Sequence, residues 1–162
     1  MGLQWVKNMA GFDLSDKDMK DIPHPTAELV LHVTLKTVQA FGLIGTVVIG
    51  PIKGFRGPPG NLKRQMTRFG KWGAILGLAA GPAMTYGRLS SINFDENGIY
   101  DRCYRLRHNR GQVRVDRGSL VGVVAGAGLF SAVRMCPVLG SLVGMSTGVI
   151  SMAAYNLSLP KK

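Results

Sequence analysis

Residues 118–157 read GSLVGVVAGAGLFSAVRMCPVLGSLVGMSTGVISMAAYNL, two apolar stretches joined by Arg134 to Pro137, with glycine returning at every fourth position in both. The first carries Gly118, Gly122 and Gly126; the second carries Gly140, Gly144 and Gly148. A step of four drifts only about 40° around a helix, so each triplet draws a strip along one face where another backbone can come close. Glycine weakens a helix in water. Helices already in hydrocarbon associate by close backbone approach instead, and there the same strip is useful. The connection is short enough to predict an antiparallel pair.

Working outward, the same strip recurs as Gly73, Gly77 and Gly81, and in looser form as Gly42, Thr46 and Gly50. Leu, Val, Ile and Met fill the remaining faces and leave no polar side for water, which argues against a water-soluble monomer. The pattern predicts an all-α fold, an integral membrane bundle of four short glycine-rich transmembrane helices at about 29–49, 66–87, 118–133 and 137–157. The first is 21 residues long and reaches about 31 Å, enough for one span. Two others have uncharged parts of 16 residues, about 24 Å, so they must extend into their basic flanks or sit in thinned lipid. Pro82 predicts a kink, and Asp116 is placed to cap the third helix.

Around this four-helix domain, 27–157, lie a polar arm at 1–26, an arginine-rich loop at 88–117 and a tail at 158–162. The arm predicts a short helix near Ser15 to Lys20, ended by Pro23 and Pro25. In the long loop Asp95 to Gly98 reads as a turn and the arginine-rich part as an interfacial helix. The N-terminus shows no secretory signal, arginine-rich transit peptide or myristoylation pattern.

The formal net charge is +11, which fits nucleic acid, anionic lipid or an acidic partner. Distribution separates these. Asp13, Asp16, Asp18, Asp21 and Glu28 precede the first apolar run, while Pro51 to Lys71 holds six basic residues and no acid. Cations beside apolar segments suit lipid headgroups, and aromatics at 7% are too sparse to interleave as a nucleic-acid face. The expected lipid- or partner-binding cations are Lys53, Arg56, Lys63 and Arg64 in the first loop, and Arg102, Arg105, Arg107, Arg110 and Arg114 in the second. For the second set a solvated interfacial stretch is an equal reading. Lys36, inside the first apolar run, either snorkels to the headgroups or meets a partner within the bundle.

Nothing converges as an enzyme site. His24, His32 and His108 are dispersed. Gly54, Gly57 and Gly60 mimic a phosphate loop, but no GK[ST] follows and two prolines remove amide donors, leaving a turn. Cys103 and Cys136 stand 33 positions apart without a metal or redox motif and read as free thiols. No catalytic residue, metal or cofactor is expected beyond bound cardiolipin or another anionic phospholipid.

Four short helices with repeated GxxxG strips, a basic first loop and an arginine-rich segment with Asp116 just before the third helix resemble the mitochondrial inner-membrane preprotein and amino-acid transporter family. The resemblance covers roughly residues 27–157. That family includes translocase channel subunits and an accessory membrane subunit of respiratory complex I. Its signature runs Arg, three residues, Asp, six residues, a small residue with Gly, three residues, Gly. Anchored on Asp116, the Arg position is Gln112, the small-Gly pair is Val123 and Val124, and Gly128 agrees. Arg110, Arg114, Ala125 and Gly126 lie nearby out of register. The resemblance implies a multi-pass protein of the mitochondrial inner membrane, a non-catalytic accessory subunit of complex I or a supercomplex in the electron-transport chain. Its implied partners are membrane subunits and lipids. The alternative is a translocase component whose lateral groove would use Lys36, Gln39 and Thr46. The raw count of cations favours matrix termini, and net charge favours the opposite. The resemblance implies termini in the intermembrane space, with Cys103 and Cys136 on opposite sides and unable to pair.

Overall fold

The computed structural model describes residues 3–12 and 14–160. Asp13, counted among the acids of the arm, lies outside the described residues, as do Lys161 and Lys162 of the tail. The described residues form helices and connections with no strand. In the arm, α1 (Leu3–Ala10) is followed by α2 (Asp16–Lys20), which is closed by a capping box between Ser15 and Asp18. Pro25, pre-set for the first turn, opens α3 (Pro25–Leu43). This helix passes through a π-helical segment, Ile44–Ile49, into α4 (Gly50–Phe55), giving a continuous helix of 31 residues, Pro25–Phe55. After a turn in which Gly60 adopts φ of +85°, α5 (Asn61–Ser90) follows, then α6 (Glu96–His108), α7 (Arg110–Ala132) and α8 (Pro137–Ser158).

These bounds correct the expected ones wherever polar residues are good helix formers. The first loop shrinks to 56–60, because Lys63, Arg64 and Gln65 extend α5. Within the long loop expected at 88–117, the arginine-rich part read as an interfacial helix is helical over 96–108, and 110–117 belong to α7. Asp95 to Gly98 is a helix start in which the Asp95 carboxylate accepts the Gly98 N–H at 2.9 Å. Asp116 is not a cap. Asn109 caps α7, its side chain accepting the Gln112 N–H at 3.1 Å, and Asp116 falls inside the helix. The helix α5 continues through Pro82.

Two helical hairpins make up the bundle. In the first, the long helix runs antiparallel to α5 at backbone contact. A Cβ at Gly73 would strike the Phe41 carbonyl, one at Gly77 the Val38 backbone at 2.6 Å, and one at Gly81 the Thr34 backbone. Gly45 and Gly54, from the other side, meet Phe69 and Leu62 in the same way. In the second hairpin Gly118 faces Gly148, Gly122 faces Gly144 and Gly126 faces Gly140, each against the partner's carbonyl. Steps of four up one helix match steps of four down the other, as antiparallel strips require. The hairpins are joined by α8, whose buried Leu139, Leu142 and Met145 lie against the long helix and α5. The strip Gly42, Thr46 and Gly50 does not stay on one partner. Gly42 faces Met145 of α8, whereas Thr46 meets Gly70 and Gly50 meets Met66, both of α5. The π-helical segment begins between Gly42 and Thr46.

Two helices, Pro25–Phe55 and Pro137–Ser158, are long and apolar enough to cross a membrane, each with mean hydropathy 1.5. The expectation was four. Both α5 and α7 have the length, but Lys63, Arg64, Arg68 and Lys71 in one and Arg110, Arg114 and Arg117 in the other, with many glycines, dilute their hydropathy.

Candidate functional site

On α3, positions 32, 36 and 39 recur at the spacing of one helical face, and positions 112, 116 and 119 do the same on α7. The fold sets these faces opposite each other as a ladder of polar rungs. His32 Nε2 lies 3.1 Å from Gln112 Oε1, Lys36 Nζ donates to Asp116 Oδ1 at 2.5 Å, and Gln39 Nε2 donates to Ser119 Oγ at 2.7 Å. Each rung joins residues 80 apart, so the two helices run in the same direction in a single register.

Asp116 is the centre of this arrangement and is only 1% exposed. Beyond Lys36, it accepts a second hydrogen bond from Gln39 at 2.9 Å, and His32 Nδ1 stands 3.8 Å from its other oxygen. Ser119 donates to the backbone carbonyl of Asp116 at 2.8 Å. Among the described residues no buried side-chain N or O is left without a partner. An ion pair so surrounded holds its two helices in place, because removing either partner strands a charge. On one side the ladder opens onto a groove of about 770 Å³, lined by His32, Lys36, Phe41, Met84, Arg102 and Gln112 among others.

The remaining expected cations separate into distinct roles. Arg107 is buried, not a free lipid contact. Its guanidinium forks onto Glu28 at 2.7 and 2.6 Å, and Nη1 donates to the carbonyls of Asp18, Met19 and Asp21. It therefore clasps the N-terminal arm to α6, aided by Tyr100 donating to the Lys20 carbonyl and Asn8 to the Arg107 carbonyl. Arg105 pairs with Asp101, Arg114 donates to Asn156 at 3.1 Å, and Arg110 is exposed. Lys53, Arg56, Lys63 and Arg64 are exposed at the opposite end of the bundle. Arg68, Lys71, Arg117 and Arg134 were not among the expected binding cations; of these, Arg117 holds the Asn8 carbonyl. Replacing Arg107 by Lys should free the arm, since one ammonium cannot make a planar two-pronged contact and satisfy three carbonyls as well. The expected result is tryptic cleavage at Lys17 or Lys20 about tenfold faster or more, corresponding to about 1.4 kcal/mol or more of lost clasp. Unchanged cleavage would mean the arm is held elsewhere.

The thiols also separate. Cys103 is buried beneath the arm, its sulfur 3.1 Å from the Pro25 carbonyl; burial, then the Glu28 charge, push it up to about 12. Cys136 is exposed. Maleimide at neutral pH should label the folded chain once, at Cys136, and a second time only after denaturation, as read by intact mass.

No curated protein matches the chain. The model of one protein family, a protein of unknown function designated DUF1757, matches residues 5–155, which takes in the arm, the ladder and both glycine hairpins. The chain belongs to the DUF1757 family.

Proposed function

We propose that the protein is a non-catalytic, multi-pass membrane subunit that works by packing inside a larger assembly. The observation that carries this reading is the inverted distribution of side chains. Large apolar residues such as Ile52, Leu76, Val121, Val124 and Leu129 face outward, while Gln39, Thr46, Asp116, Ser119 and Ser146 are enclosed. A chain surrounded by water places these classes the other way round. In hydrocarbon the polar groups must be satisfied internally, and the ladder between α3 and α7 does that. The many outward apolar side chains are then available to lipid and to partner helices.

The resemblance to the mitochondrial transporter family makes respiratory complex I (NADH:ubiquinone oxidoreductase) the first assembly to test, with this chain as an accessory subunit of the inner membrane that stabilises the whole. The alternative is a subunit of an inner-membrane protein translocase. For that role Lys36, Gln39 and Thr46 would have to line a lateral groove. Lys36 does line a groove, but its ammonium is held by Asp116, and Gln39 and Thr46 are turned inward, which favours the packing role. Membranes solubilised in mild detergent and run on a blue-native gel test the reading. Comigration with NADH dehydrogenase activity is the expected result. Comigration with protein-import machinery would favour the translocase, and migration as a free monomer would rule out the assembly role.

A further inference from the structure

At the end of the bundle away from the arm, cations stand without any opposing charge. No Asp or Glu occurs between Glu28 and Asp95 or after Asp116. The two turns that close the hairpins at that end therefore form a wholly positive surface. On α5, Arg64, Arg68, Lys71 and Ile75 follow one another at steps of four, three and four, which aligns them on one face. This face, with the turn before α8, walls a groove of about 750 Å³. Lys63 and Arg134 add charge to it, and Trp72, Ile75, Met135 and Leu139 give it an apolar part. None of the ion pairs among the described residues involves these cations.

Like charges in succession on one helix face repel and weaken it, a cost that a bound counter-charge would relieve. The occupant must be anionic along the stretch from Arg64 to Lys71, about 10 Å of helix, and apolar beyond it. We propose that this groove holds one anionic glycerophospholipid, its phosphate between Arg68, Lys71 and Arg134 and an acyl chain along Trp72, Ile75 and Leu139. A free phosphate leaves the apolar part empty. An acidic peptide brings backbone amides to a floor that offers few hydrogen-bond partners, a mismatch that a hydrocarbon chain avoids. Arg and Lys in such a pocket recognise the phosphate by charge-assisted hydrogen bonds, and the outward apolar belt brings lipid to its mouth. The proposal rests on the membrane-embedded reading above, but not on which assembly the chain joins.

The test uses the full chain purified in neutral detergent and native mass spectrometry. It is offered equal amounts of phosphatidylglycerol and phosphatidylcholine with the same acyl chains. Retained phosphatidylglycerol should exceed phosphatidylcholine in the wild type, and R68Q/K71Q should lower that preference by about thirtyfold, as expected for two lost phosphate contacts. K53Q/R56Q removes two cations of the same end that the sequence also offered for lipid but that do not line the groove, and should leave the preference intact. Ile75→Trp keeps every cation but fills the apolar part, and should lower phosphatidylglycerol retention as well. Equal retention of the two lipids by the wild type overturns the proposal. So does an equal loss in K53Q/R56Q, which would mean diffuse attraction, or full displacement by inorganic phosphate or an acidic peptide. Extraction of native membranes with alkaline carbonate separates the two levels: release of the chain refutes embedding itself, whereas retention with no lipid preference refutes only the groove.

Discussion

Lys36→Met should be the most damaging single substitution in the bundle interior, lowering stability by about 3–5 kcal/mol in thermal unfolding of the detergent-solubilised chain. It leaves the Asp116 carboxylate, 1% exposed, with Gln39 as its one remaining hydrogen-bond donor and no cation at contact. Asp116→Asn should cost less, because the two partners are not equally enclosed. The Lys36 side chain is 29% exposed along the neighbouring groove and can turn its ammonium out of the ladder on a long stem. The double variant K36M/D116N removes both charges and keeps similar shapes, so it should recover most of what Lys36→Met loses. Equal losses for the two single variants, together with a double variant that simply adds them, would show that the pair contributes nothing as a pair. High salt should leave these differences intact, since a buried pair is little screened.

This ladder was half legible in the sequence. A lysine inside an apolar run stands out, and the alternatives of snorkelling or an internal partner followed from its chemistry. Its partner did not stand out, because Asp116 sits at the edge of an apolar stretch, where an N-cap explains an acid locally. The missing fact was that Asn109 already caps a helix beginning at Arg110, which moves Asp116 from the entrance to the interior. Two polar sets at the same spacing, 32/36/39 and 112/116/119, were there to be compared. Face periodicity locates each set on its helix but says nothing about which faces meet across 80 residues of chain. Arg107 illustrates the same gap: a composition of clustered arginines suggests headgroups, yet its carboxylate partner, Glu28, lies in a distant helix.

The helical class and the glycine strips were readable for a simpler reason, since both are local periodicities. Not all helix ends were: those of α5 and α7 were missed. Apolar runs mark where lipid or core is expected, whereas a helix ends where its backbone finds a cap, and Lys, Arg and Gln carry α5 and α7 well past their apolar parts. The π-helical segment at Ile44–Ile49 has no signature in the residues IGTVVI.

Gly144→Ala and Gly128→Ala should have opposite signs, although both place a methyl group on a glycine of the second hairpin. A Cβ at Gly144 would strike the Gly122 carbonyl and come within 3.2 Å of the Gly126 Cα, both backbone, so no side-chain rotation relieves it. The helices must separate along a strip that also includes Gly118, Gly140 and Gly148, and an overpacking cost of about 1–3 kcal/mol is expected. At Gly128 nothing lies within 4 Å, so alanine meets open space and helix propensity alone acts, a gain of up to about 1 kcal/mol. Gly77→Ala and Gly87→Ala repeat the contrast in α5, the first against the Val38 backbone at 2.6 Å and the second with nothing within 4 Å. Thermal unfolding of the four variants in one detergent gives the comparison. If Gly144→Ala and Gly77→Ala were as stable as Gly128→Ala and Gly87→Ala, the strips would not be contact surfaces. The inward, glycine-to-backbone packing that leaves the large apolar residues facing outward would then lose its basis.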